Sequence, residues 1–113
     1  MPIRALRAAL ATAAIAGSAL TMTVTPAQAT EACKTLNAPG GGSATMCKSW
    51  FSVGGGYYDG EWWSEGPVPT KVALKVIEDG WQHSAAFSDS YHHRKVVQLK
   101  LCYTLTGQCG TPW

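Results

Sequence analysis

Three histidines are the residues of this chain best suited to metal or acid–base chemistry. His92 and His93 are adjacent, and His83 precedes them in the sequence. Neighbouring residues of an extended chain point to opposite sides, so the adjacent pair does not readily bind one metal ion. Asp89 is the one carboxylate at a helpful spacing from the pair. The pattern therefore predicts a polar, histidine-rich connection that holds no metal or other cofactor.

The remaining polar residues do not form a recognisable catalytic set. The sequence contains no G-x-S-x-G, H-E-x-x-H or P-loop motif. Several carboxylates stand in turn sequences, where Asp is common for conformational reasons. A chain of this size also has little core with which to hold a preorganised active site. We therefore expect that the protein is not an enzyme.

Aromatic side chains are the alternative source of function, because the chain contains 5 Trp and 4 Tyr. Residues 57–63 read YYDGEWW, next to three consecutive glycines. Adjacent Trp62 and Trp63 point to opposite faces of any strand, so one of them is expected to stay exposed. Exposed rings bind sugars or protein partners, whereas buried rings would only fill a small β core. The predicted contact residues are Tyr57, Tyr58, Trp62 and Trp63.

Alternating strands must position these rings. Residues 95–105 place five apolar side chains at period 2, which predicts a half-buried strand with Cys102 on its other face. Residues 70–78 and 81–88 predict a hairpin around Asp79-Gly80, with Val76 facing His83. Residues 44–53 also have strand composition. Residues 57–65 fit either a hairpin turning at Asp59-Gly60 or one continuous strand.

The other segments have weaker patterns. Residues 30–43 are expected to be an irregular arm, and residues 88–94 a polar connection. No helical periodicity appears after residue 29. The fold class predicted is therefore all-β: a small antiparallel β-sandwich or barrel of five to six strands, stabilised by disulfides.

The N-terminus predicts export. Arg4 and Arg7 precede an alanine-rich apolar stretch, and residues 27–29 read AQA, a small-x-small cleavage site. Residues 1–29 are therefore expected to be a cleaved signal peptide, and residues 30–113 a single secreted β domain. The apolar stretch is too short and too poor in Leu and Ile for a stable membrane span. Loss of the two arginines leaves as many Lys and Arg as the 7 Asp and Glu, so no basic patch indicates nucleic-acid binding.

Four cysteines lie in the predicted mature chain, and an even number in a small exported domain is typical of disulfides. Pairing of Cys33 with Cys47 and of Cys102 with Cys109 is favoured, because each pair flanks its own local loop. Crossed pairings are the alternative. No C-x₂-C spacing suggests zinc.

Two sets of residues resemble known families. The alanine-rich leader, the all-β domain and the ending VQLKLC…CG…W resemble small exported two-disulfide proteins of actinobacteria, which have no assigned activity. Residues 80–83, GWQH, followed by residues 86–93, AFSDSYHH, are similar to the core of the lactococcin-type bacteriocins. That similarity implies a β-rich protein that blocks cell-wall synthesis by binding a lipid-linked precursor. The predicted domain is also similar to the proteinaceous amylase inhibitors, which are small, exported β-sandwiches with two disulfides. That similarity implies a secreted inhibitor of a hydrolase.

Together these patterns predict a secreted, monomeric, non-catalytic binding protein. Its expected partner is an extracellular protein or a cell-envelope glycan. A bacteriocin acting on cell-wall synthesis and an inhibitor of a hydrolase are the alternatives.

Overall fold

The computed structural model describes residues 29–113, which form two antiparallel β-sheets. Their strands are β1 (Thr30–Ala38), β2 (Gly42–Gly54), β3 (Tyr57–Glu65), β4 (Val72–Glu78), β5 (Trp81–Ala85), β6 (Ser88–Arg94) and β7 (Val97–Tyr103). The all-β prediction is confirmed, although this part of the chain has seven strands rather than five to six. The predicted signal peptide lies outside the described residues, except for Ala29. Between residues 29 and 113 there is no helix long and apolar enough to cross a membrane.

The strand order is β1-β2-β3-β6 in one sheet and β5-β4-β7 in the other. The chain changes sheets after β3, after β5 and after β6. The core lies between the sheets and is formed by the inward side chains of both. Its buried members include Leu36, Met46, Trp62, Tyr91, Leu74, Val76, Leu99 and Leu101. The predicted apolar faces of β4 and β7 are thus confirmed, with Leu74 opposite Leu101 and Val76 opposite Leu99.

Both predicted disulfides are present, and all four cysteines are paired. Cys33 and Cys47 lie directly opposite each other on β1 and β2. Cys102 and Cys109 join β7 to the segment that follows it. This last segment returns along the free edge of β7, where Leu99 and Trp113 exchange two backbone hydrogen bonds of 2.8 Å each.

The predicted β4–β5 hairpin is confirmed. Asp79 and Gly80 adopt φ angles of 51° and 87°, the left-handed pair that a two-residue turn requires. Val76 then pairs with His83, and Leu74 with Ala85. The strand β5 ends at Ala85, so residues 86–88 do not continue the hairpin as predicted, and Val72 pairs with Tyr103 of β7.

Two predictions for the first sheet are wrong, and the structure decides between the two alternatives for residues 57–65. Residues 30–38 are the strand β1 rather than an irregular arm, because they pair along their whole length with β2. Residues 88–94 form the edge strand β6 rather than a connection. Asp59-Gly60 lies within β3 and is not a turn, since Gly55 and Gly56 turn the chain four residues earlier with φ angles of 67° and 83°. The alternative of one continuous strand is correct.

The strand predicted for residues 95–105 is shorter in the structure. β7 starts at Val97, after a link that carries the chain from one sheet to the other, and it ends at Tyr103. Leu105, predicted as the last member of the apolar face, lies in the following turn and is exposed. Cys102 is on the face opposite Leu101, as its place in the alternation predicted, and its side chain is buried.

Candidate functional site

A cleft of about 310 Å³ opens at one end of the sandwich, where the chain passes from β6 to β7. The four-stranded sheet supplies most of its wall, and the β6–β7 link with the start of β7 supplies the rest. Its lining residues are Lys48, Trp50, Tyr58, Tyr91, Arg94, Lys95, Val96 and Val97. We call this feature the end cleft. It is lined by three aromatic rings, three cationic side chains and two valines, and these eight residues include no carboxylate.

The aromatic wall depends on one glycine. Tyr91 of β6 lies across Gly60 of β3 and donates a hydrogen bond of 2.8 Å to the backbone oxygen of Ser49 on β2. A Cβ atom at position 60 would lie 1.9 Å from that same oxygen. The absence of a side chain at Gly60 is therefore what lets the Tyr91 ring span β3. Burial, with smaller contributions from Asp59 and Glu78, raises the pKa of Tyr91 to about 12. Its hydroxyl accordingly remains a hydrogen-bond donor at neutral pH.

Lys48 is held at the side of the cleft by the end of the described chain. Its Nζ donates to the backbone oxygens of Val97 at 3.1 Å and of Trp113 at 3.0 Å. The same ammonium lies 4.3 Å from the centroid of the Trp113 ring. Burial lowers the pKa of Lys48. The lysine thus brings positive potential to the cleft, but most of its bonding capacity is used to hold Trp113 beside β7.

Arg94 is the second cation, and its orientation is set by Glu78. The guanidinium Nε donates to Glu78 Oε1 at 2.8 Å, which raises the pKa of Arg94. The other carboxylate oxygen, Oε2, is bonded to His83 Nε2. His83 in turn stacks on Trp81, with 4.7 Å between the ring centroids. A connected row of side chains therefore runs from the cleft to Trp81, which is 65% exposed.

The rim of the cleft is fixed by the turn that joins β4 to β5. Asp79 Oδ1 accepts hydrogen bonds from the backbone N–H groups of Lys95 at 2.8 Å and Val96 at 2.9 Å. The Asp79 N–H donates back to the oxygen of Val96 at 2.9 Å. These bonds hold the link between β6 and β7 against the β4–β5 turn. The bond from Val96 is the largest cause of a lowered pKa for Asp79, and the Lys95 bond and the charge of Arg94 act in the same direction.

This arrangement predicts a contribution of Asp79 to acid stability. Because the folded-state pKa is below the ordinary 3.8, the stabilisation is complete above that value and is lost as the pH falls through the folded pKa. Urea unfolding of the wild type should therefore show a loss of stability as the pH falls below about 4, and Asp79→Asn should reduce that loss. Asp89→Asn is the matched control, since the Asp89 carboxylate accepts from the adjacent Ser90 N–H and holds no distant segment between residues 29 and 113. Equal pH dependence in wild type and Asp79→Asn would contradict the assignment.

The four predicted contact residues separate into two groups. Tyr58 lines the end cleft. Tyr57 is on the other face of β3, where its ring stacks on His93 at 3.9 Å between centroids and Lys95 Nζ lies 5.3 Å from its centre. The expectation that Trp62 or Trp63 stays exposed is wrong, because the two side chains are 2% and 1% exposed.

The physical reasons for this burial differ between the two tryptophans. Trp62 points into the core, where its ring is parallel to that of Tyr91 and its Nε1 donates to the backbone oxygen of Ala86 at 2.8 Å. Trp63 lies on the opposite face of β3, directly across from Cys47 in the register and beside the Cys33–Cys47 bridge. Neither ring is available to a ligand.

The histidines are distributed over two places. His92 and His93 flank Asp59, which accepts a 2.8 Å hydrogen bond from the His93 N–H and lies 3.5 Å from His92 Nδ1. His83 belongs to the row that leads from Arg94 to Trp81. No group of three His, Cys, Asp or Glu side chains within residues 29–113 is arranged to hold a metal ion.

Two important lining residues are not among the predicted contact residues. Trp50 is one of the five tryptophans of the chain without a separate prediction, and Arg94 falls in the segment predicted as a polar connection. The alternating pattern of β2 does indicate on which face Trp50 lies, since Trp50 shares a face with Met46 and Lys48. No comparable local signal marks Arg94, because its neighbours in the cleft come from other strands.

Comparison with protein-family models, with curated proteins and with solved structures gives no match to this chain.

Proposed function

We propose that this protein is a secreted, non-catalytic binding protein that holds a small anionic ligand with an apolar part in the end cleft. The lining of the cleft is the observation that carries the proposal. Three aromatic rings, from Trp50, Tyr58 and Tyr91, offer apolar contact area, and three cations surround the same space. A volume of about 310 Å³ is at the lower end of the range for small-molecule sites.

The electrostatics of the cleft favour an anion over a neutral or cationic ligand. Lys48 and Arg94 are already fixed by bonds to the protein, so little side-chain freedom is lost when a ligand binds. Glu78 offsets part of the charge of Arg94, and the carboxylate-free lining leaves an excess of positive charge. Rings that partly exclude water strengthen the attraction between that charge and a bound anion.

The two disulfides of the domain support secretion. Two disulfides in one small domain are typical of proteins that fold in an oxidising compartment. The predicted signal peptide at residues 1–29 leads to the same location. The proposed ligand is therefore one met outside the cell, either free or as part of a larger partner.

Titration with naphthalene-2-sulfonate, monitored by tryptophan fluorescence, tests the proposal. The anion should bind to the wild type, while neutral 2-methylnaphthalene should bind at least about tenfold more weakly, since one charge-assisted hydrogen bond contributes about 1.5–3 kcal/mol. Lys95→Gln should weaken binding of the anion about threefold, as expected for an exposed charge. Lys34→Gln, an exposed lysine on β1 outside the lining, is the matched control. Equal affinity for the anion and the neutral compound would reject an anion site.

Two further assays separate this proposal from the other functions predicted from the sequence. A bacteriocin would inhibit the growth of related bacteria at low concentration. A hydrolase inhibitor would titrate a secreted hydrolase stoichiometrically.

A further inference from the structure

Arg94 is the cation of the end cleft whose unused donors are held in a fixed position by a bond to the protein. The Lys48 ammonium is bonded to two backbone oxygens and lies over the Trp113 ring. Lys95 extends over the ring of Tyr57, on the outer side of β3. Arg94 uses Nε to bind Glu78, and its two terminal amino groups make no hydrogen bond to any other residue between 29 and 113. Recognition of the charged part of a ligand therefore falls to the Arg94 guanidinium.

The way in which Arg94 is held selects a planar anion. Glu78 fixes the guanidinium through Nε, and Glu78 is itself fixed by His83 on its other oxygen. The plane of the guanidinium is thus set before any ligand arrives. The remaining edge presents two parallel N–H donors, the geometry that matches the two oxygens of a carboxylate. A phosphate dianion would call on more than one such group, since it has a second charge and a third oxygen to satisfy.

The volume of the cleft limits the size of the apolar part of the ligand. A buried cavity of about 150 Å³ is large enough to bind benzene. At about 310 Å³, the end cleft has room for one such ring together with a carboxylate on a short linker. Trp50 and Tyr58 supply the aromatic surface against which the ring would pack, with the offset or edge-to-face contacts that such rings prefer.

Building on the proposed function, we propose that the ligand is a monocarboxylate that carries an aromatic ring. Its carboxylate binds the free edge of Arg94, and its ring packs against Trp50 and Tyr58. Glu78 acts as a positioning residue that holds the guanidinium. The same chemistry is present in a free aromatic acid and in the C-terminal aromatic residue of a peptide.

Isothermal titration calorimetry with 3-phenylpropionate and 3-phenylpropionamide tests this inference in the wild-type protein, so that no variant needs to fold. The amide has the same shape without the charge, and it should bind at least about tenfold more weakly because it cannot form the charge-assisted pair. The peptide Gly-Gly-Phe, with a free or an amidated C-terminus, forms the second arm. If the protein binds 3-phenylpropionate more tightly than its amide, the ligand is assigned as a free acid. If only the peptide arm shows a difference, with the free C-terminus bound more tightly than the amidated one, the ligand is assigned as a peptide end. Either result supports the proposal. Equal binding of acid and amide in both arms would overturn it.

Arg94→Lys provides the matching variant, because it keeps the positive charge and removes the planar fork. The affinity for 3-phenylpropionate should fall about tenfold or more, whereas naphthalene-2-sulfonate, which the wider charge and the rings also attract, should lose less. An unchanged affinity for the acid in a folded Arg94→Lys protein would also overturn the inference. If naphthalene-2-sulfonate binds the wild type and the acids do not, the carboxylate assignment fails while the anion site stands. If the sulfonate fails as well, the proposed function itself is wrong.

Discussion

Replacing Trp62 by alanine is expected to lower the free energy of unfolding by about 3–5 kcal/mol, the cost of removing a fully buried tryptophan. Trp62 is 2% exposed, packs parallel to Tyr91 and binds the backbone oxygen of Ala86. Ala86 lies where the chain crosses from β5 to β6, so the indole also ties the crossing between sheets to β3. A domain of this size has a total stability of about 5–15 kcal/mol, and the variant should be marginally folded. Thermal unfolding should show a midpoint lowered by about 12 °C or more.

Two further variants test the contributions that burial and the hydrogen bond to Ala86 make to the effect of Trp62. Trp62→Phe keeps most of the apolar area and leaves the Ala86 oxygen without the indole donor, so it should cost about 1–3 kcal/mol. Trp81→Ala is the matched control for an exposed tryptophan and should change stability by less than about 1 kcal/mol. If Trp62→Ala were no more destabilising than Trp81→Ala, the placement of Trp62 in the core would be wrong.

Gly60→Ala should cost about 3 kcal/mol, at the upper end of the usual cost of overpacking. The added Cβ would lie 1.9 Å from the Ser49 oxygen and 2.5 Å from the Tyr91 hydroxyl oxygen. The first of these atoms belongs to the backbone of the neighbouring strand, so it cannot move aside as a flexible side chain would. Displacement of Tyr91 should also disturb the aromatic wall of the end cleft. We therefore expect Gly60→Ala to weaken binding of naphthalene-2-sulfonate in addition to its effect on urea unfolding.

Gly56→Ala is the control, because its Cβ would meet nothing within 4 Å. Its cost should come from the φ angle of 83° alone, about 1–2 kcal/mol, and ligand binding should be unaffected. A Gly60→Ala variant as stable as Gly56→Ala would show that Tyr91 does not depend on this gap.

Sequence patterns were sufficient to predict the features of the fold that depend on residues close together in the chain. Asp79-Gly80 forms the predicted two-residue turn, and that turn sets the register of β4 against β5. The disulfides were predictable for a related reason, since Cys33 and Cys47 are brought together by a single hairpin. The alternation in β7 similarly identified Leu99 and Leu101 as core residues.

Long-range contacts decide the features that the sequence did not reveal. Asp59-Gly60 is the same dipeptide as Asp79-Gly80, yet it lies inside β3. The glycines at 55 and 56 turn the chain first, and Gly60 is required by the Tyr91 ring from a strand far along the chain. Such a requirement cannot be read from the residues that flank Gly60.

The end cleft itself is assembled in the same way. Lys48 and Trp50 come from β2, Tyr58 from β3 and Arg94 from β6, and the sheet order rather than the sequence order makes them neighbours. Among the predicted aromatic contact residues, Tyr58 lines the cleft because its side chain is on the inward face of β3. Trp62 shares that face but stands deeper in the sandwich, where the second sheet covers it.

An anionic ligand is expected to bind in the end cleft and nowhere else on the described part of the chain. Amide and indole chemical shifts of the ¹⁵N-labelled protein, recorded during titration with naphthalene-2-sulfonate, test it directly. We predict saturable shifts concentrated at Trp50, Tyr58 and residues 94–97, including the indole N–H of Trp50. Shifts that are absent, that are scattered over the surface, or that centre on the exposed Trp81 would contradict it.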